Sequence, residues 1–203
     1  MLRLFRNNNP FTVLLLLIFT MLLKLHVLQH PQLPVQAEGH FIFNAIIRGL
    51  SVLFNGNPFH FTLLAIVMIF LQAIYLNTIA ERRKLFLRDN YFPAVAYILV
   101  TSVYAPFNYF NKAILINWAL IGALDIMLTF SQTMQPQKQI FNASYLFCIA
   151  FAFWFSAIGY LLFLLIGLLI LRRFNLAEWV IAIVGYFTPI YFMAGILLSL
   201  IHI

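Results

Sequence analysis

Apolar residues run along this chain in long blocks, separated by short polar or proline-bearing stretches. The first block, Phe11 to about Leu28, predicts a transmembrane helix of about 18 residues, near the minimum for a hydrocarbon core roughly 30 Å thick. A signal peptide also begins with a basic segment like Met1–Asn9, but Lys24-Leu-His-Val-Leu-Gln-His-Pro31 stands where a small-residue cleavage site would be. Residues 30–38 hold Pro31 and Pro34, and so predict an extended loop. From 39 to 55 the pattern changes. His40, Asn44, Arg48, Ser51 and Asn55 recur three or four residues apart and form one polar stripe. Phe41, Ile42, Ile46, Leu50 and Leu53 make the apolar face, which predicts an amphipathic helix lying in the membrane interface. Asn55-Gly-Asn-Pro58 breaks it.

The second span is expected from Phe59 to about Ala80, followed by the charged run Glu81-Arg-Arg-Lys84 and Arg88-Asp89. A short third span covers about Tyr91–Pro106, with Pro93 tolerable in its first turn. The aromatic loop Tyr104–Lys112 suits the headgroup level. A fourth span covers about Ala113–Ser131, and Gln132–Gln139 is a polar connection. Residues 140–171 would make one helix of about 48 Å, longer than the bilayer core. A break is therefore expected at the small residues Ser156, Ala157 and Gly159, giving two short spans, with one long tilted helix as the alternative. Arg172-Arg173 closes this unit, and Asn175-Leu-Ala-Glu178 caps the last span, Trp179–Ile203. The fold class is thus all-α: a polytopic transmembrane helical bundle of about seven spans plus the interfacial helix 39–55. Residues 1–203 read as a single integral membrane domain. The ending Leu198-Ser-Leu-Ile-His-Ile203 lacks a polar flank and reads as a non-native tail on a truncated chain.

Composition agrees with the pattern. Of 203 residues 64% are hydrophobic and 8% charged, against about 25% charged in ordinary soluble domains. So few charges cannot cover a water-facing surface. Lipid must be the outer solvent, and the continuous apolar runs exclude the alternating strands of a barrel. The net charge of +7 is topological, because no basic patch with interleaved aromatics offers a nucleic-acid surface, and no nucleic-acid partner is expected. With the N-terminus cytoplasmic and seven spans, Arg3, Arg6, Arg82, Arg83, Lys84, Arg88, Lys138, Arg172 and Arg173 lie inside, and Lys24, Arg48 and Lys112 outside. That asymmetry obeys the positive-inside rule and predicts a multi-pass protein of the bacterial inner membrane. The lipid bilayer is its first partner, and Arg82, Arg83, Lys84, Arg88, Arg172 and Arg173 serve as topology anchors or headgroup contacts. The single cysteine, Cys148, lies in an apolar run and is assigned to packing.

Three constellations carry candidate chemistry. Glu38, the one outer acid, stands near His40 and Arg48, a set able to do acid–base work on a lipid-linked substrate or merely to face water as a solvated loop. His26 and His30 share a face if the first helix reaches that far, and His40 or Glu38 would complete a metal site. Pro31 and the lack of a second close pair argue against it, and no metal is assigned. Asp125, placed mid-span with Asn117 two turns earlier, costs about 2.5–3.5 kcal/mol on insertion scales and should face the interior with a partner, in a functional or a structural role. No nucleotide-loop, CxxC, GxSxG or HExxH motif occurs, and no cofactor is expected.

Taken whole, Leu2-Arg-Leu-Phe-Arg6, Leu23-Lys-Leu-His26, His30-Pro31, Leu71-Gln-Ala-Ile-Tyr-Leu-Asn77, Asn90-Tyr-Phe-Pro-Ala94, Tyr97, Phe107-Asn108 and Arg172–Trp179 resemble a Bacteroidetes family of multi-pass inner-membrane proteins, a domain of unknown function. Some members carry a beta-carotene monooxygenase label. Such oxygenases need a four-His iron site on a soluble propeller, which this chain cannot build. More distantly, the layout resembles membrane glycosyltransferases of the C type, with a membrane-parallel helix and acidic catalytic residues in the first outer loop. That likeness implies a glycosyltransferase-like role in the cell envelope on polyprenyl-phosphate-linked sugars. Glu38 would then be the base, His40 and Arg48 phosphate contacts, and Asp125 a core organiser. Such enzymes usually place an Asp after the first span, whereas this chain offers only Glu38. The competing readings are a non-enzymatic membrane subunit with envelope protein partners and a transporter coupled through Asp125.

Overall fold

The computed structural model describes residues 10–35, 41–86, 90–130, 135–154 and 158–201. Every regular element among them is helical: α1 (Pro10–Gln29), α2 (Phe41–Leu53), α3 (Pro58–Arg82), α4 (Phe92–Val103), a 3-10 turn at Ala105–Phe107, α5 (Lys112–Met127), α6 (Gln137–Phe153), α7 (Gly159–Leu171) and α8 (Leu176–Ile201). The all-α expectation holds, and the helices form two compact units, Met1–Leu115 and Ile116–Ile203.

Each boundary has a local cause. After α2 the backbone enters the left-handed region at Asn55 (φ 50°) and Gly56 (φ 66°), residue types that tolerate it. The Gly56 N–H then donates to the Ser51 carbonyl at 3.0 Å. Asn57 caps α3, its Oδ1 accepting from the Phe59 N–H at 3.0 Å, and Pro58 fills the first helical position. α4 stops at Val103 because Tyr104 turns extended ahead of Pro106. α6 ends at Phe153 with Trp154 extended (φ −153°, ψ 115°), and α7 resumes at Gly159. The long apolar stretch is therefore broken at the expected place, although Ser156 and Ala157 lie outside the described residues. Asn175 opens α8 as anticipated, accepting from the Ala177 N–H at 3.1 Å.

Three helical segments are long and apolar enough to cross a membrane: Phe11–Gln29, Pro58–Arg82 and Leu176–Gly195. α4 and α7, at 12 and 13 residues, rise only about 18–20 Å and fall short of a hydrocarbon core of roughly 30 Å. The third span is thus shorter than expected.

In the first unit Leu16, Ala73, Tyr91, Ala94, Val95 and Ile98 pack together. α2 is amphipathic, but its buried edge is Phe43 and Ile47, four residues apart, while Leu53 is exposed. The reason lies across the core, where the Phe43 ring stacks on Phe110 at 6.1 Å. Phe110 is itself buried, so this ring of the aromatic loop is core rather than headgroup anchor. In the second unit α6 and α8 lie closely side by side, with Ala143, Phe147 and Cys148 beside Ala182 and Tyr186. Cys148 is buried, as its apolar run implied.

The distribution of polarity is that of a membrane protein. Lys24, Gln72, Asn77, Ser144 and Glu178 are buried, while Phe11, Leu14, Leu22, Ile170 and Phe192 stand at least half exposed. Several hydroxyls inside helices are satisfied by the carbonyl one turn back: Thr20 on Leu16 at 2.8 Å, Thr101 on Tyr97 at 2.8 Å and Ser144 on Ile140 at 2.7 Å.

Candidate functional site

The first unit contains a buried cation. The Lys24 side chain is 1% exposed, and its Nζ donates to Asn108 Oδ1 at 2.6 Å, the Thr101 carbonyl at 3.1 Å and the Phe107 carbonyl at 3.3 Å. An ammonium has three donors, and all three are used. Thr101 lies in the last turn of α4, where carbonyls have no intrahelical partner and the helix dipole is negative. The ion therefore caps α4 and fastens the 3-10 turn to α1.

One turn earlier on α4, the Tyr97 hydroxyl donates to Gln72 Oε1 at 2.7 Å. The Gln72 amide donates onward to the Ile114 carbonyl at 2.7 Å. Gln72 is fully buried in α3, so this chain joins the middle of α3 to α4 and to the start of α5. At the end of α3, Asn77 Nδ2 donates to Glu81 Oε1 at 2.8 Å.

The second unit uses a similar device. Arg172, at the end of α7, donates from NH1 to the Phe130 carbonyl just past α5, at 2.7 Å. Its Nε lies 3.3 Å from Glu178 Oε2. Glu178 is buried in the first turn of α8, where the helix dipole favours an acid. A guanidinium held by a neighbouring helix end and a carboxylate fixes three helix termini at one point.

A cavity of about 430 Å³ opens in the same unit, lined by Leu120, Leu124, Phe147, Trp154, Gly159, Tyr160 and Phe163. Its wall is almost wholly apolar. Such a space accepts a hydrocarbon chain, and the Trp154 indole and the Tyr160 phenol are the polar side chains among its described lining residues.

Of the sequence-predicted site, Glu38 and His40 lie outside the described residues, as does Arg88. Arg48 is exposed on α2. Asp125 and Asn117 are half-buried on α5, about 12 Å apart along its axis. Arg82, Lys84 and Arg173 are exposed, while Arg83 is half-buried. Arg172, expected as a topology or headgroup residue, also clamps the Phe130 carbonyl and Glu178. Lys24, Gln72 and Tyr97 were not singled out for chemistry. A lysine before the first loop reads as a topology signal, and only the fold shows that it turns inward. The signal was nevertheless present, in two amides, Gln72 and Asn77, within a 25-residue apolar helix.

His26 and His30 stand at the end of α1, both exposed, with ring centroids 5.0 Å apart. Among the described residues no group of three or more His, Cys, Asp or Glu side chains is gathered. No family model matches the chain, and neither a curated protein nor a solved structure does.

Proposed function

We propose that this is a non-enzymatic multi-pass subunit of the bacterial inner membrane, working in an envelope assembly or export complex with its N-terminus in the cytoplasm. The observation that carries the reading is where the buried and half-buried polar groups are spent. Lys24, Gln72, Tyr97, Arg172 and Glu178 hydrogen-bond to helix ends and to each other. A site for chemistry would aim such groups at a common cleft, whereas the described lining of the second unit's cavity is hydrocarbon apart from Trp154 and Tyr160. Membership of the Bacteroidetes inner-membrane family belongs to the same proposal.

A second reading is favoured by one specific feature. α1 is followed by residues 31–35 without regular structure and, after a stretch outside the described residues, by the amphipathic α2, with Arg48 exposed. That order matches the first outer loop of a C-type glycosyltransferase, for which Glu38 would be the base acting on a polyprenyl-phosphate sugar.

Complementation of a deletion strain separates the two. On the subunit reading Glu38→Gln and Asp125→Asn restore the wild-type phenotype in full. Loss of complementation by Glu38→Gln, at an unchanged level of protein in the membrane, would reject it in favour of catalysis. Loss confined to Asp125→Asn, with altered pH dependence, would favour transport.

A further inference from the structure

We infer that His26 and His30 form a chelating site for one divalent transition-metal ion at the C-terminal end of α1. The inference is independent of the function proposed above.

The helix runs far enough to make the pair real. α1 extends to Gln29, and the His30 N–H still donates to the His26 carbonyl at 3.3 Å, so the two side chains leave one face a single turn apart. Their spacing is that of ligands to a common ion. A metal–nitrogen bond of about 2.0–2.1 Å places each ring centroid about 3.2 Å from the metal. For N–metal–N angles between square and tetrahedral, the centroids then stand about 4.5–5.3 Å apart. The observed separation is 5.0 Å, with the ring planes at 72°.

The surroundings suit a cation. The last carbonyls of α1 present the negative end of its dipole. The nearest basic side chain in sequence, Lys24, is turned inward and bound to Thr101, Phe107 and Asn108. Both imidazoles are exposed, which leaves the other coordination positions to water or an outside ligand. Two neutral nitrogens and open positions select imidazole-seeking ions, Cu2+ above Ni2+ and Zn2+, over Mg2+ or Ca2+. With two protein ligands the ion exchanges freely. The chemistry is that of a sensor or a loading point, not of a buried structural zinc.

The test uses the full chain in detergent with no polyhistidine tag, titrated with Cu2+ alone and followed by calorimetry and electron paramagnetic resonance. One ion per chain is expected, with hyperfine structure from two imidazole nitrogens. His26→Ala and His30→Asn should each weaken binding about tenfold or more. His30 follows the last residue of α1, so the helical circular dichroism of His30→Asn should equal that of the wild type. Equal Cu2+ uptake by the wild type and the His26→Ala/His30→Asn double variant would overturn the inference, and so would a wild type that takes up none.

Discussion

At the scale of single residues, the most consequential side chain is one whose role depends on folding. Lys24 is a cation with no carboxylate among its described partners, held by one amide oxygen and two carbonyls. Lys24→Met keeps the length of the side chain and removes every donor. Three buried or half-buried acceptors then lose their partner, at about 1–3 kcal/mol for each one left unsatisfied. A loss of about 2 kcal/mol or more is expected, read as a lower midpoint in thermal unfolding in detergent. If Lys24→Met melts like the wild type, the capping role is wrong. Lys84 is the opposite case. It occupies the left-handed region (φ 51°) where α3 ends, with its N–H on the Glu81 carbonyl and the Leu85 N–H on Ala80. This is the closing motif that glycine usually provides. Lys84→Gly should therefore stabilise by about 1 kcal/mol, since a side chain there costs roughly 1–2 kcal/mol. The same melting experiment checks it, a lower midpoint being the contrary result. Neither role was legible beforehand. In the sequence both lysines are topology charges, because composition sees charge and not the direction in which a side chain leaves its helix.

At the scale of elements the sequence was far more informative, because helix ends are local events. Asn57-Pro58 and Asn175 act through neighbouring backbone N–H groups; the Asn175 cap formed where the sequence placed it, and Asn57, read only as part of a breaker, caps α3. The interruption near Gly159 followed from arithmetic alone, since an uninterrupted helix outgrows the bilayer. What could not be read was the orientation of α2. Its apolar arc is wider than the polar stripe, and the edge that is buried was decided by Phe110, more than fifty positions away. Helix packing was equally silent. Where α6 meets α8, a Cβ on Gly185 would lie 3.0 Å from the Phe141 carbonyl oxygen and 3.0 Å from Ser144 Cβ. Small residues at such a crossing let two backbones approach where lipid gives no hydrophobic push. Gly185→Ala is therefore expected to destabilise despite the higher helix propensity of alanine. A Cβ on Gly49, in the middle of α2, would meet no neighbouring group within 4 Å. Gly49→Ala should stabilise by about 0.5–1 kcal/mol. The pair makes an internally controlled measurement: two identical changes with opposite signs of melting shift. Shifts of the same sign would refute the account of the α6–α8 approach.

At the scale of the whole molecule, large apolar side chains face outward, as Phe11 does at 81% exposure, while polar groups such as Gln72 are buried among the helices. Water cannot be the solvent for that arrangement, so the side of the membrane reached by each polar segment becomes a physical quantity. The basic clusters at Arg82–Lys84 and Arg172–Arg173 resist translocation, which predicts that both face the cytoplasm. His30–Val35, beyond the opposite end of α1, should face the other side. The chain is suited to the measurement, because its only cysteine, Cys148, is buried, and Cys148→Ala gives a background without thiols. Single cysteines at exposed Gln32, Lys84 and Arg173 can then be challenged in intact cells with a membrane-impermeant maleimide. Gln32→Cys should react at once, and Lys84→Cys and Arg173→Cys only after the membrane is opened. Arg173 is the discriminating position, because α4 and α7 are too short to span unaided. If either fails to cross while the other segments do, the parity of crossings changes. Arg173→Cys would then be labelled in intact cells, while Lys84→Cys stayed protected. That outcome would show that bilayer thickness and helix length, rather than the charge of Arg172–Arg173, set the threading of the second half of the chain.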